Sequence, residues 1–183
     1  MYKRQALLPT GNQVDTVEGI AVTMIDNGMP VVVLKAIDIG ITGNESRAEL
    51  DANEALKAKL ESIRLLCGPL MNLGDVSDKT VPKMTMASVP QNGGAISSRT
   101  FIPHRCHASI GVLGAVSVAT ACLLPESPAH GLADLPQGKV KKLNVEHPVG
   151  ATGIEVLVDV HGQVKSAAII RTARKLFDGV VYS

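Results

Sequence analysis

The sequence predicts an α+β fold in which an antiparallel-rich sheet wraps around one central apolar helix. Three observations lead there. Short strand-like runs separated by turn residues recur along the chain. One segment has the spacing of an amphipathic helix, and another is apolar around nearly its whole circumference. A helix of the last kind must be surrounded by protein, and strands wrapped around it are the simplest enclosure.

The elements follow in order. Leu8-Pro9-Thr10-Gly11-Asn12 is turn chemistry with no element before it, as expected of a domain that has lost something upstream. Residues 19–25 read as a strand, ended by the turn Asp26-Asn27-Gly28. Val31-Val32-Val33-Leu34 is a continuous run, expected of a strand buried on both faces. After the Gly40-Ile41-Thr42-Gly43 turn, Ser46 and Glu49 form a capping box. The helix it opens is predicted to run to about Leu66, with Leu56, Leu60 and Ile63 on one face and Gly68-Pro69 stopping it. Strands are predicted at 83–89 and 95–102, then the apolar helix over 108–124, a loop over 125–138, and strands at 139–146, 153–160, 164–171 and 176–182.

Composition narrows the function. The chain has 183 residues, enough for a single domain over 1–183 with a real core. Aromatics make up only 2%, so that core is aliphatic. A net charge of +1 with no basic cluster argues against nucleic acid. The apolar stretch is interrupted by Ser109, Gly111, Gly114, Ser117 and Thr120, so a core helix is expected and not a membrane span. No signal peptide is legible, and Cys67, Cys106 and Cys122 are odd in number and widely spaced; a reducing cytoplasm is the expected location.

Chemistry concentrates in Ser98-Arg99-Thr100-Phe101-Ile102-Pro103-His104-Arg105-Cys106-His107, just ahead of the apolar helix. A helix N-terminus presents free N–H groups to an anion, and Arg99 suits a carboxylate. Cys106 there is either a thiol activated by the helix end or a small packing residue. His107 either contacts substrate or caps the helix, and Arg105 can face solvent. His104, Cys106 and His107 give three candidate metal ligands with no fourth nearby, so no metal is expected. Glu146-His147-Pro148-Val149-Gly150 reads as a turn whose glycine allows close backbone approach. Arg171 and Arg174 fit surface ion pairs.

Taken in order, several segments resemble a known family: Leu8 to Asn12, Asp26-Asn27-Gly28-Met29-Pro30, Gly40 to Glu45, Pro82-Lys83, Pro103 to His107, Glu146 to Gly150 and Arg171 to Arg174. It comprises 4-oxalomesaconate tautomerases, 2-methylaconitate cis-trans isomerases and related double-bond isomerases of tricarboxylic acids. The likeness runs from about Leu7 to Tyr182 and looks closest to the tautomerase branch. It implies the C-terminal half of a diaminopimelate-epimerase-like fold, with substrate between two similar halves. It also implies a cofactor-free 1,3-proton shift needing an acid and a base on opposite sides of the substrate. The catalytic Lys and Asn-Cys-Gly-Asn segment of the family belong to the N-terminal half and have no match here, so the catalytic residues are not assigned. Cys106 does not sit in that motif. Val149 stands where the family has Ser in a His-Pro-Ser-Gly turn. What carries over is substrate binding by Arg99, Thr100, His107, Val149 and Gly150. The expected partners are a small polycarboxylate and either a second copy or a separate N-terminal half; a non-catalytic binding or dimerisation module is the alternative.

Overall fold

Eight strands stand side by side in the order in which the chain makes them. They are β1 (Asp15–Val17), β2 (Ile20–Asp26), β3 (Pro30–Lys35), β4 (Lys83–Ser88), β5 (Ile96–Phe101), β6 (Val140–His147), β7 (Gly150–Val158) and β8 (Val164–Ile169). The helices are α1 (Arg47–Ala52), α2 (Glu54–Leu70) and α3 (Val112–Cys122). This computed structural model describes residues 6–170 and 174–180. The α+β class read from the sequence is the one observed.

The sheet is mixed. β3–β4 and β5–β6 are parallel and every other neighbouring pair is antiparallel. A parallel pair needs a long crossover. Residues 36–82, with α1 and α2, supply the first, and residues 102–139, with α3, supply the second. Such crossovers are right-handed almost without exception. Because β5 runs opposite to β4, the same hand puts the two crossovers on opposite faces. The core divides accordingly. Val32 and Leu34 of β3 pack with Leu56, Leu60, Ile63 and Cys67 of α2. Val31 and Val33 pack with Ala115, Val118 and Ala119 of α3. Both faces of β3 are therefore covered, as its unbroken apolar run requires.

The sheet curls around α3, which touches β2, β3, β6, β7 and β8. No helix among the described residues is long and apolar enough to cross a membrane.

Four details differ from the sequence reading. The Ser46–Glu49 capping box exists, but it heads only α1. Asn53 then breaks the helix at ψ 87° and caps α2 by accepting from the Leu56 N–H at 2.9 Å. α2 runs past Gly68 and takes in Pro69, ending one residue later at Leu70. α3 is shorter than expected, since residues 108–111 form the loop that enters it. Residues 174–180 belong to no strand, against the expected strand at 176–182; Val181 and Tyr182 lie outside the described residues, as does Arg171 at the end of the expected strand 164–171.

Candidate functional site

The parallel ladder between β5 and β6 is short. It pairs Ile96 with Val145 and Ser97 with Glu146, and then the strands part. β6 ends at His147 and reverses through Pro148 and Val149 into Gly150 of β7. β5 continues past its β6 partner through Ser98, Arg99 and Thr100, paired only with β4 on its other side. Strand backbone that has lost its neighbour must find other partners, and local groups provide them. The Ser98 hydroxyl donates to the Glu146 carbonyl at 2.7 Å, and the His107 N–H donates to the Thr100 carbonyl at 2.7 Å.

His107 arrives there because residues 102–105 form a tight turn, closed by the Ile102 N–H to the Arg105 carbonyl at 2.9 Å. α1 clamps the returning limb. Asp51 accepts from the Cys106 N–H at 2.7 Å, and Arg47 Nε donates to the Cys106 carbonyl at 2.9 Å. The segment thus folds back on β5 and α1 before the chain enters α3. His104 leaves it toward α2, with Nδ1 3.8 Å from the Glu61 carboxylate.

Arg99 and Thr100 are neighbours on opposite faces. Arg99 pairs with Met86, on the face that α2 covers. Its Nε donates to the Glu45 carbonyl at 3.0 Å and its Nη1 to the Ser98 carbonyl at 3.0 Å. The loop carrying Glu45 is held from within, because the Glu45 carboxylate accepts from the Thr42 N–H at 2.7 Å and the Gly43 N–H at 2.9 Å. Thr100 is buried, and its hydroxyl lies 2.9 Å from that of Thr85.

Two histidines sit near Arg99. His107 Nδ1 accepts from the Ser109 N–H at 2.9 Å, so a neutral ring carries its proton on Nε2 as a donor. The cap that His107 makes is therefore to the entry loop and not to α3. Nδ1 of His147 is buried without a protein partner among the described residues. Burial holds the His147 pKa below the ordinary histidine value, and the nearby charges of His107 and Arg99 lower it further. His147 is neutral at pH 7. Of this turn the sequence singles out Val149 and Gly150 and not His147, whose place beside the diverging strands is set by the β5–β6 register.

Glu146 faces the other way. Its carboxylate accepts from the N–H groups of Gln91, Asn92 and Gly94 at 2.8, 2.7 and 2.8 Å. Burial opposes its ionisation, but these three bonds and the charge of Arg99 outweigh it and hold the pKa below the usual range. Glu146 thus pins the 91–94 turn. Asn92, Gly94, Glu146, His147, Pro148 and Gly150 help line a cleft of about 270 Å³. That is just below the ~300–1,000 Å³ usual for sites that enclose a ligand. Val149 is 71% exposed at its rim.

The tip of α3 is open to solvent at Gly111 and Val112, with no side-chain cap on the helix. Leu113 of its first turn packs on the Asn27-Gly28 turn, 3.4 Å from where a Gly28 Cβ would stand. Of the two readings of Cys106, the buried packing residue is the one observed. Burial and the charge of Asp51 push the Cys106 pKa up to about 11 against the pull of Arg99 and Arg47.

A family model described as PrpF protein matches residues 2–183. The chain belongs to the PrpF family. It is 62% identical to a (4E)-oxalomesaconate Delta-isomerase of a Novosphingobium species, over 97% of this chain and 50% of that protein. It is 60% identical to a 4-oxalomesaconate tautomerase of Pseudomonas putida, over 96% of this chain and 48% of that protein. The chain spans about half the length of these relatives. Among solved structures, a methylitaconate-delta-isomerase superposes with a TM-score of 0.79 at 22% identity, over 90% of this chain and 50% of that one. The PrpF chain therefore shares that protein's fold across half of its length.

Proposed function

We propose that this PrpF chain is the substrate-binding wall of a cofactor-independent isomerase of diaminopimelate-epimerase-like fold. Its reaction is an allylic 1,3-proton shift on a tricarboxylic acid such as 4-oxalomesaconate, in a reducing cytoplasm. The observation that carries this reading is the 62% and 60% identity to two oxalomesaconate isomerases.

The geometry supports it through charge. A tricarboxylate needs cations and N–H donors, and its dienolate needs them more as negative charge moves onto oxygen. Arg99 supplies a fixed cation, with Nε and Nη1 bonded to backbone carbonyls and Nη2 without a protein acceptor among the described residues. His107 supplies Nε2–H, and the uncapped start of α3 supplies amides. Gly150, at φ 149°, and Val149 form the rim against which the carbon chain rests. Thr100 supports the wall from below through Thr85. The proton-transferring Lys and Cys belong to the other half of the site.

The test is turnover followed by proton NMR in deuterated water, with the isolated chain and with the chain plus the complementary half of the Pseudomonas putida tautomerase. Deuterium exchange and double-bond migration are expected only in the mixture. Turnover by the isolated chain would contradict the one-wall reading.

A further inference from the structure

His147 closes β6, and the strand pattern decides which way its ring turns. Leu143 and Val145 of β6 pack on the side of the sheet that α3 covers. Side chains two residues apart share a face, so His147 turns to that side as well. The last parallel pair is Ser97 with Glu146, so His147 has no partner on β5. Across the hairpin it pairs with Gly150, where a Cβ would stand 3.7 Å from the ring carbon Cε1. The imidazole therefore stands where β5 and β6 part. On the other side of that gap β5 carries Thr100, whose carbonyl holds the His107 N–H.

The two ring nitrogens differ. Nδ1 is buried and Nε2 is not, and neither has a protein partner among the described residues. A buried N–H without an acceptor is rarer in folded proteins than a buried acceptor without a donor. The proton of the neutral ring therefore sits on Nε2, where water or a ligand can accept it. His107 has the same tautomer for a different reason, since its Nδ1 accepts from the Ser109 N–H. Two imidazoles thus offer Nε2–H groups, and His107 and Arg99 lie close enough for their charges to act on His147. An imidazolium at His147 would repel Arg99, whereas a neutral ring adds a donor without that repulsion. Packing alone does not account for the residue. An apolar side chain of similar volume would fill the same space and leave no buried nitrogen unpaired.

We infer that His147 is a specificity-determining residue of the binding wall: beside His107, its Nε2–H donates to a carboxylate oxygen of the bound acid. The inference deepens the proposed function and rests on it.

The experiment is calorimetric titration of the full chain with 4-oxalomesaconate, comparing the parent with His147→Leu and His147→Gln. Leucine keeps the volume and has no donor, while the glutamine amide brings an N–H to the reach of Nε2. His147→Leu is expected to bind at least about tenfold more weakly, and His147→Gln within about threefold of the parent. Urea unfolding separates this from a structural role. His147→Leu removes an unpaired buried nitrogen, so its midpoint is expected to equal or exceed that of the parent. Long-range proton–nitrogen NMR of the free chain is expected to show the Nε2–H tautomer at His147.

Equal affinity of His147→Leu, a His147→Gln variant as weak as His147→Leu, or an Nδ1–H tautomer would each overturn the inference. A lowered midpoint accompanying the loss of binding would return His147 to packing and overturn it too. If Arg99→Met still weakens binding in those cases, the binding wall stands without His147. No saturable binding by the folded parent would remove the wall and the inference together.

Discussion

Glu146 and Gly94 touch across the β5–β6 junction: the carboxylate accepts the Gly94 N–H at 2.8 Å, and a Gly94 Cβ would stand 2.5 Å from Glu146 Cγ. It would also stand 2.8 Å from the Asn144 carbonyl, which is backbone and cannot swing away. Gly94→Ala is therefore expected to destabilise the chain by roughly 1–3 kcal/mol, the usual cost of overpacking. Urea unfolding checks it, and an unchanged midpoint would contradict the packing.

The same carboxylate sets a pH dependence. Its folded pKa is depressed, so its contribution is present above the unfolded value of about 4.3 and is lost as pH falls through the folded value. Glu146→Gln is expected to cost ~1–3 kcal/mol at pH 7. The gap between the variant and the parent should narrow below about pH 4. Urea midpoints measured from pH 7 down to pH 3 test this; a constant gap would contradict it.

Thr85 and Thr100 share a buried hydroxyl pair 2.9 Å apart. Thr100→Val leaves the Thr85 hydroxyl buried without that partner, at an expected cost of about 1–3 kcal/mol. Adding Thr85→Val should recover part of the loss. A double-mutant cycle with no coupling would show that the pair contributes nothing.

Legibility in the sequence followed the range of the interaction. The two-sided burial of β3 showed in four consecutive apolar residues, and the α2 face in the spacing of Leu56, Leu60 and Ile63. The enclosed α3 showed in its uniform apolarity. The split at Asn53 did not show, because the residue both stops one helix and caps the next. Of the site, Arg99 and His107 were legible as residue types, but the face of Arg99 depends on its register with Met86. The neighbourhood of His147 depends on where a two-pair parallel ladder ends, a relation between segments about 50 residues apart. Nothing local encodes that distance.

The three thiols are buried and free, and burial raises their pKa to about 12, 11 and 12 for Cys67, Cys106 and Cys122. Iodoacetamide at pH 8 is expected to leave the folded chain unmodified and to label all three cysteines in denaturant. Rapid labelling of Cys106 in the folded chain would contradict the buried, clamped turn.

The most direct test of the binding wall is calorimetric titration of the folded chain with 4-oxalomesaconate, beside Arg99→Met and Val149→Ser. Saturable binding is expected, weakened at least about tenfold by Arg99→Met, or ~1.4 kcal/mol. Val149→Ser should strengthen it by adding a hydroxyl at the rim, with stability within about 0.5 kcal/mol of the parent. No saturable binding by the folded parent, or equal affinity after loss of the Arg99 guanidinium, would contradict the account.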